Sequence, residues 1–201
     1  MNVSCARCRV PMHLFIAFCL TLLLSVFAAL PAIAQSADKT HRALKDGQIV
    51  LIRHAYAPGG GDPDNFTLGQ CATQRNLNET GRKQARQIGQ WFRNQAIAVT
   101  QVLSSQWCRC MDTATLAFPS QVTEAPEFNS FFSNRQAEAM QTQRALARFA
   151  QWDGPGLMVV ITHQVNITAL TGIVPRSGEG IVIEYQNGAV QVVERLNFGF
   201  Q

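Results

Sequence analysis

Ile49-Val50-Leu51-Ile52-Arg53-His54-Ala55 is the stretch whose reading decides the fold. Four consecutive aliphatic residues suit a strand covered on both faces, as in a parallel sheet. Segment 55–61, rich in Gly and Pro, cannot continue that strand. Arg53 and His54 therefore stand at a strand's carboxyl end, the edge at which open α/β sheets bind ligands.

Two further stretches repeat the arrangement. Val102-Leu103-Ser104-Ser105 reads as a short strand followed by Arg109 in the first turn of a helix, with Ser105 as its cap. Leu157-Met158-Val159-Val160-Ile161-Thr162 reads as a third strand and ends at His163. Two His and two Arg just beyond three strand ends predict one basic pocket shaped for an anion. A helix amino terminus at Arg109 would favour the same charge through free N–H groups and the helix dipole.

The chain opens with a separate signal. Residues 1–13 carry Arg7 and Arg9 and no acid, residues 14–30 are almost wholly apolar, and Ala32-Ile33-Ala34 supplies small residues at a cleavage point. This is the pattern of a secretory signal peptide cut after Ala34, which predicts a periplasmic or secreted protein. No second stretch is long and apolar enough to span a bilayer, so no membrane span is expected in the mature chain. The remaining 167 of 201 residues suit a single α/β domain over 35–201.

Of 17 basic residues Arg7 and Arg9 leave with the leader, so 15 face 13 acidic ones, a balance of +2. Nucleic acid binding rests on many clustered phosphate contacts, and this near neutrality argues against it. Cys5, Cys8 and Cys19 also leave, and Cys71, Cys108 and Cys110 remain. An odd count in an oxidising compartment predicts one disulfide and one thiol. Cys108 and Cys110 are too close to pair easily, so Cys71 is expected to pair with one of them, with Cys110 preferred. The spacing matches no zinc pattern, and neither a metal nor another cofactor is predicted.

Between these landmarks, segment 57–75 reads as a long mobile loop over the site. Asn78 caps a helix through about Arg93 that buries Ala85, Ile88, Gly89 and Phe92. Residues 107–118 and 136–152 read as helices, 121–124 as a short strand, 127–134 as a loop and 166–172 as a short helix. Asn187-Gly188 between 181–185 and 189–193 is a strong hairpin signal.

Leu51-Ile52-Arg53-His54-Ala55, Leu77-Asn78-Glu79-Thr80-Gly81-Arg82-Lys83-Gln84-Ala85, Ser104-Ser105 with Arg109 and Thr113-Ala114, and Thr162-His163 together resemble the histidine phosphatase superfamily, also called phosphoglycerate mutase-like. The resemblance covers nearly all of the mature chain, in the family's order. It implies a three-layer α/β/α fold with a mostly parallel central sheet. It also implies that His54 is a nucleophile forming a phosphohistidine, that Arg53 and Arg109 clamp the phosphoryl oxygens, and that His163 donates to them. The chemistry is consistent, since neutral imidazole is a competent nucleophile near pH 7. Ala55 stands where the family usually has Gly, and Gln164 where Gly is common. The family's proton-donating Glu aligns with Phe128-Asn129-Ser130, which leaves Glu127 as first substitute, Glu124 as second, and the loop acids from Asp62 to Asp64 as another source.

The expectation is therefore an exported, metal-independent phosphomonoesterase acting on a small phosphorylated substrate. The family includes small exported bacterial phosphatases proposed to act on heptose phosphate of the lipopolysaccharide core, and this chain is similar to them in size and leader. The competing expectation is a non-catalytic phosphate-binding or anion-binding module on the same fold. Nothing in the sequence specifies an oligomeric state.

Overall fold

Side chains alternate across each central strand, and in this computed structural model, which describes residues 43–199, the alternation assembles two cores. The expected leader and its cleavage after Ala34 lie outside the described residues. Val50 and Ile52 of β1 (Ile49–Arg53) face one side with Val102, Val159, Ile161 and Val182, whereas Ile49 and Leu51 face the other with Leu103, Met158, Val160, Ile181 and Ile183. Helices cover both faces, which is why these strands read as continuous apolar runs.

The sheet contains β1, β2 (Val99–Ser104), β3 (Val122–Glu124), β4 (Leu157–Thr162), β5 (Gly180–Gln186) and β6 (Ala189–Leu196) in the order β3-β2-β4-β1-β5-β6. The β3-β2-β4-β1 portion is parallel, and β5 and β6 add antiparallel to the β1 edge. On one face lie α1 (Glu79–Arg93) and α2 (Cys108–Ala117), contributing Ile88, Phe92, Cys110 and Ala114. On the other, α3 (Glu138–Ala150) and α4 (Gln164–Thr171) contribute Ala145, Phe149 and Ile167. This is the expected three-layer arrangement. Among the described residues no helix is long and apolar enough to cross a membrane.

Local signals act as the sequence predicts in several places. Asn78 caps α1, its side chain accepting from the Gly81 N–H at 3.0 Å. Asn187 and Gly188 both take positive φ between β5 and β6, the conformation a tight hairpin turn requires.

Other expectations are corrected. Ser105 does not cap α2: Trp107 occupies that position in extended conformation, and the first helical N–H, from Cys108, donates to Gln74 Oε1 at 3.0 Å. A glutamine from the distant 57–75 segment thus replaces a local cap. Cys71 pairs with Cys108, not with the preferred Cys110, because two residues on Cys110 points to the opposite side of the helix and is fully buried against the sheet. Segment 57–75 is not a loose flap but is pinned to the start of α2. The disulfide, Gln74, the stacked rings of Phe66 and Trp107 and the Asp62–Arg109 ion pair all hold it there.

Candidate active site

The register of the parallel strands levels three carboxyl ends. Arg53 pairs with Thr162 and Ser104 with Ile161, after which the His54 N–H donates to Thr162 O and the Ser105 N–H to Ile161 O, each at 2.9 Å. His54, Ser105 and His163 therefore leave the sheet side by side. The imidazole centroids of His54 and His163 lie 5.6 Å apart, and both rings are almost fully buried. Arg53, Arg75 and Arg109 surround them in a cavity of about 250 Å³ that Gly59, Gly60, Gly61, Asp62, Ser130, Phe132, Gln164 and Val165 complete.

Hydrogen-bond partners fix both tautomers. Nδ1 of His54 lies 2.8 Å from Ala55 O; a carbonyl only accepts, so Nδ1 carries the proton and Nε2 keeps its lone pair. Nε2 receives the Arg109 Nε–H at 3.3 Å. At His163 the assignment is reversed. Nδ1 faces an Arg109 terminal nitrogen at 3.4 Å, which only donates, so the proton resides on Nε2 and is donated to Ser105 Oγ at 2.8 Å. Ser105 Oγ–H passes the polarity on to Asn129 Oδ1, which also accepts from the Gln106 N–H.

Burial lowers the pKa of His54 well below the ordinary histidine value, and the nearby Arg109, Arg75 and Arg53 charges act in the same direction against the Ala55 hydrogen bond. Burial does the same to His163, with Arg109, His54, Arg75 and Arg53 adding to it. Both imidazoles are thus neutral near pH 7, and the pocket's positive charge resides on its guanidiniums. Burial followed by Arg109 also lowers the pKa of Arg53 and Arg75. The Nε atoms of both are buried without a hydrogen-bond partner. Unsatisfied buried cationic donors are costly, and an anion between them relieves both the repulsion and the missing bonds.

The geometry thus brings together His54, His163, Arg53 and Arg109. It does not bring in the carboxylates ranked first as proton donors. Glu127 is absent from the cavity lining and accepts from Arg148 at 2.8 Å, and Glu124 accepts from Gln106 at 3.0 Å. Asn129 stands instead beside Ser105. Sequence reading missed Arg75, an isolated cation at the end of a Gly-rich loop with only its place just before the α1 cap to mark it. Among the described residues no group of three or more His, Cys, Asp or Glu side chains is placed to hold a metal ion.

Residues 49–154 match the family described as the histidine phosphatase superfamily (branch 1). The chain belongs to the histidine phosphatase superfamily. His163 lies beyond the matched segment and joins the histidine phosphatase site through the β4 register. Solved structures share the fold at low identity. The protein histidine phosphatase SixA complexed with tungstate is 16% identical, with 75% of this chain and 97% of that one covered at a TM-score of 0.53. The alpha-ribazole phosphatase from Shigella flexneri is 17% identical, over 73% and 94%, at 0.54. The phosphoserine phosphatase from Entamoeba histolytica in complex with 3-phosphoglyceric acid is 14% identical, over 75% and 96%, at 0.55. No curated protein matches the sequence.

Proposed function

We propose that this histidine phosphatase is an exported phosphomonoesterase that needs no metal and works through a phosphohistidine on Nε2 of His54. The observation that carries the reading is the His54 tautomer, whose Nε2 lone pair is held in a buried pocket lined by three guanidiniums. Nε2 attacks phosphorus as the ester P–O bond breaks, and water then attacks the phosphohistidine and breaks the N–P bond. Arg53, Arg75 and Arg109 hold the charge on the equatorial oxygens.

His163 presents an unprotonated Nδ1 to the same space. A proton taken up there with the phosphoryl group lets the ring donate to a phosphoryl oxygen, while Ser105 keeps accepting from Nε2. Among the described residues no Glu lines the cavity, and the one lining carboxylate, Asp62, is ion-paired to Arg109. Esters whose leaving group departs without a proton donor are therefore favoured, so aryl phosphates should outpace alkyl phosphates. With export, the physiological substrates are small phosphorylated compounds of the cell envelope, sugar phosphates among them.

Asn129 in place of a carboxyl also supports the second reading, a module that only binds phosphate. Turnover of an aryl phosphate and a panel of sugar phosphates in chelator, beside His54→Ala, separates the two. Phosphatase action predicts chelator-resistant turnover that falls by at least about 10³-fold in the variant. Tight phosphate binding without turnover of any ester would establish the binding module instead.

A further inference from the structure

We infer that Asp62 is a positioning residue, which holds one edge of the Arg109 guanidinium so that the other edge faces the space between His54 and His163. The inference rests on the phosphoryl-transfer reading above and adds a residue to it.

Guanidinium carries five N–H donors in a fixed plane, so their partners can be counted. In Arg109 all five have one. Nε–H faces His54 Nε2 at 3.3 Å. One terminal nitrogen donates to Asp62 Oδ1 at 2.6 Å and to Arg75 O at 3.4 Å. The other donates to Asp62 Oδ2 at 3.1 Å and to His163 Nδ1 at 3.4 Å. The carboxylate therefore grips the outer fork, whereas the two donors on the inner edge meet imidazole nitrogens at longer distances. A phosphoryl oxygen entering between the rings takes over those inner donors without breaking the carboxylate pair.

Asp62 is itself fixed. The Arg75 N–H donates to Oδ1 at 3.1 Å and Trp107 Nε1–H to Oδ2 at 3.0 Å. Trp107 in turn stacks on Phe66, with centroids 4.9 Å apart. The Arg109 side chain is 4% exposed and that of Asp62 is 16% exposed, so little water competes for the pair. Burial raises the Asp62 pKa, but the hydrogen bonds and charge of Arg109, with the Arg75 N–H and Trp107, outweigh it and lower the value. An ionised carboxylate suits an anchor and makes a poor acid. Two other roles are thereby distinguishable: a proton donor to the leaving group, and a plug that competes with phosphate for Arg109.

The test is a double-mutant cycle of Asp62→Ala and Arg109→Ala in the purified protein. It is read by kcat and KM on an aryl and an alkyl phosphate and by binding of inorganic phosphate. Positioning predicts that Asp62→Ala lowers kcat/KM by about 100-fold, the scale expected when a catalytic group is misplaced. The loss is the same for both esters, phosphate binding weakens, and Asp62→Ala adds nothing in the Arg109→Ala background. Asp62→Asn, nearly isosteric, keeps one acceptor and gives a smaller loss in the same direction if the alanine variant does not fold. A loss that appears only with the alkyl ester, tighter phosphate binding, or an equal loss with and without Arg109 would overturn the inference. Absence of turnover in the wild-type protein would defeat the phosphatase reading alone, because the phosphate-binding arm still tests whether Asp62 acts through Arg109.

Discussion

Two imidazoles held against three guanidiniums make a pocket that accepts an anion readily and a proton reluctantly. Folding depresses the pKa of both His54 and His163 below the unfolded value of about 6.5. Above that pH both states are neutral and the stability contribution is complete. Below it the unfolded chain binds protons that the native protein refuses, so stability falls as pH falls toward the folded pKa values. The slope is up to about 1.4 kcal/mol per pH unit for each histidine. Urea midpoints measured from pH 7.5 down to 5 should therefore decline, and saturating inorganic phosphate should flatten the decline by sharing protons with the rings. A pH-independent midpoint over that window would falsify the neutral, buried assignment. Much of this site was legible because Arg53, His54 and His163 stand at the ends of apolar runs and Arg109 stands in the first turn of the helix that follows another. Arg75 and the positioning contact of Asp62 were not, since their roles arise from contacts between a loop and a helix distant in sequence.

At the scale of elements, the site depends on how closely helices and loops approach. Gly81 and Gly89 share the buried face of α1 with Ala85, Ile88 and Phe92. A Cβ at Gly89 would stand 2.1 Å from the carbonyl oxygen of Ala117 and 2.7 Å from its Cα, and one at Gly81 would stand 2.0 Å from Tyr56 O. These obstacles are backbone, which cannot rotate away. Replacing a helical glycine by alanine ordinarily gains up to about 1 kcal/mol, whereas overpacking a tight contact costs about 1–3 kcal/mol. Gly89→Ala should therefore be destabilising, by roughly 1–2 kcal/mol in urea unfolding; an unchanged or raised midpoint would show that α1 and α2 can separate at no cost. The hairpin, the α1 cap and the core strands were readable because their signals are local. The cap of α2 was not, because Gln74 reaches it from another segment. Nor was the cysteine choice, which turns on the direction each side chain takes from one helix: Cys108 toward the loop and Cys110 toward the sheet.

For the molecule as a whole, the disulfide links site construction to cellular compartment. It fastens the segment bearing Asp62 and Arg75 to the helix bearing Arg109, while burial pushes the Cys110 thiol up to about 12 and keeps it unreactive. Closing a loop with a sequence separation of 37 contributes about 4 kcal/mol by loop-closure entropy. Disulfides persist in oxidising compartments and are unusual in a reducing cytosol. The export proposal and the disulfide therefore make one joint prediction about the purified product. Expressed with its leader in a bacterial host, the protein should be recovered from the periplasm with Gln35 as its first residue. Intact mass after denaturation and alkylation without reductant should then show one modified cysteine, Cys110, and reduction should raise the number to three. A product at the full 22.2 kDa would count against cleavage after Ala34. A cleaved product with three reactive thiols before reduction would instead remove the disulfide, and with it the covalent tie that keeps the arginine-bearing loop on the site.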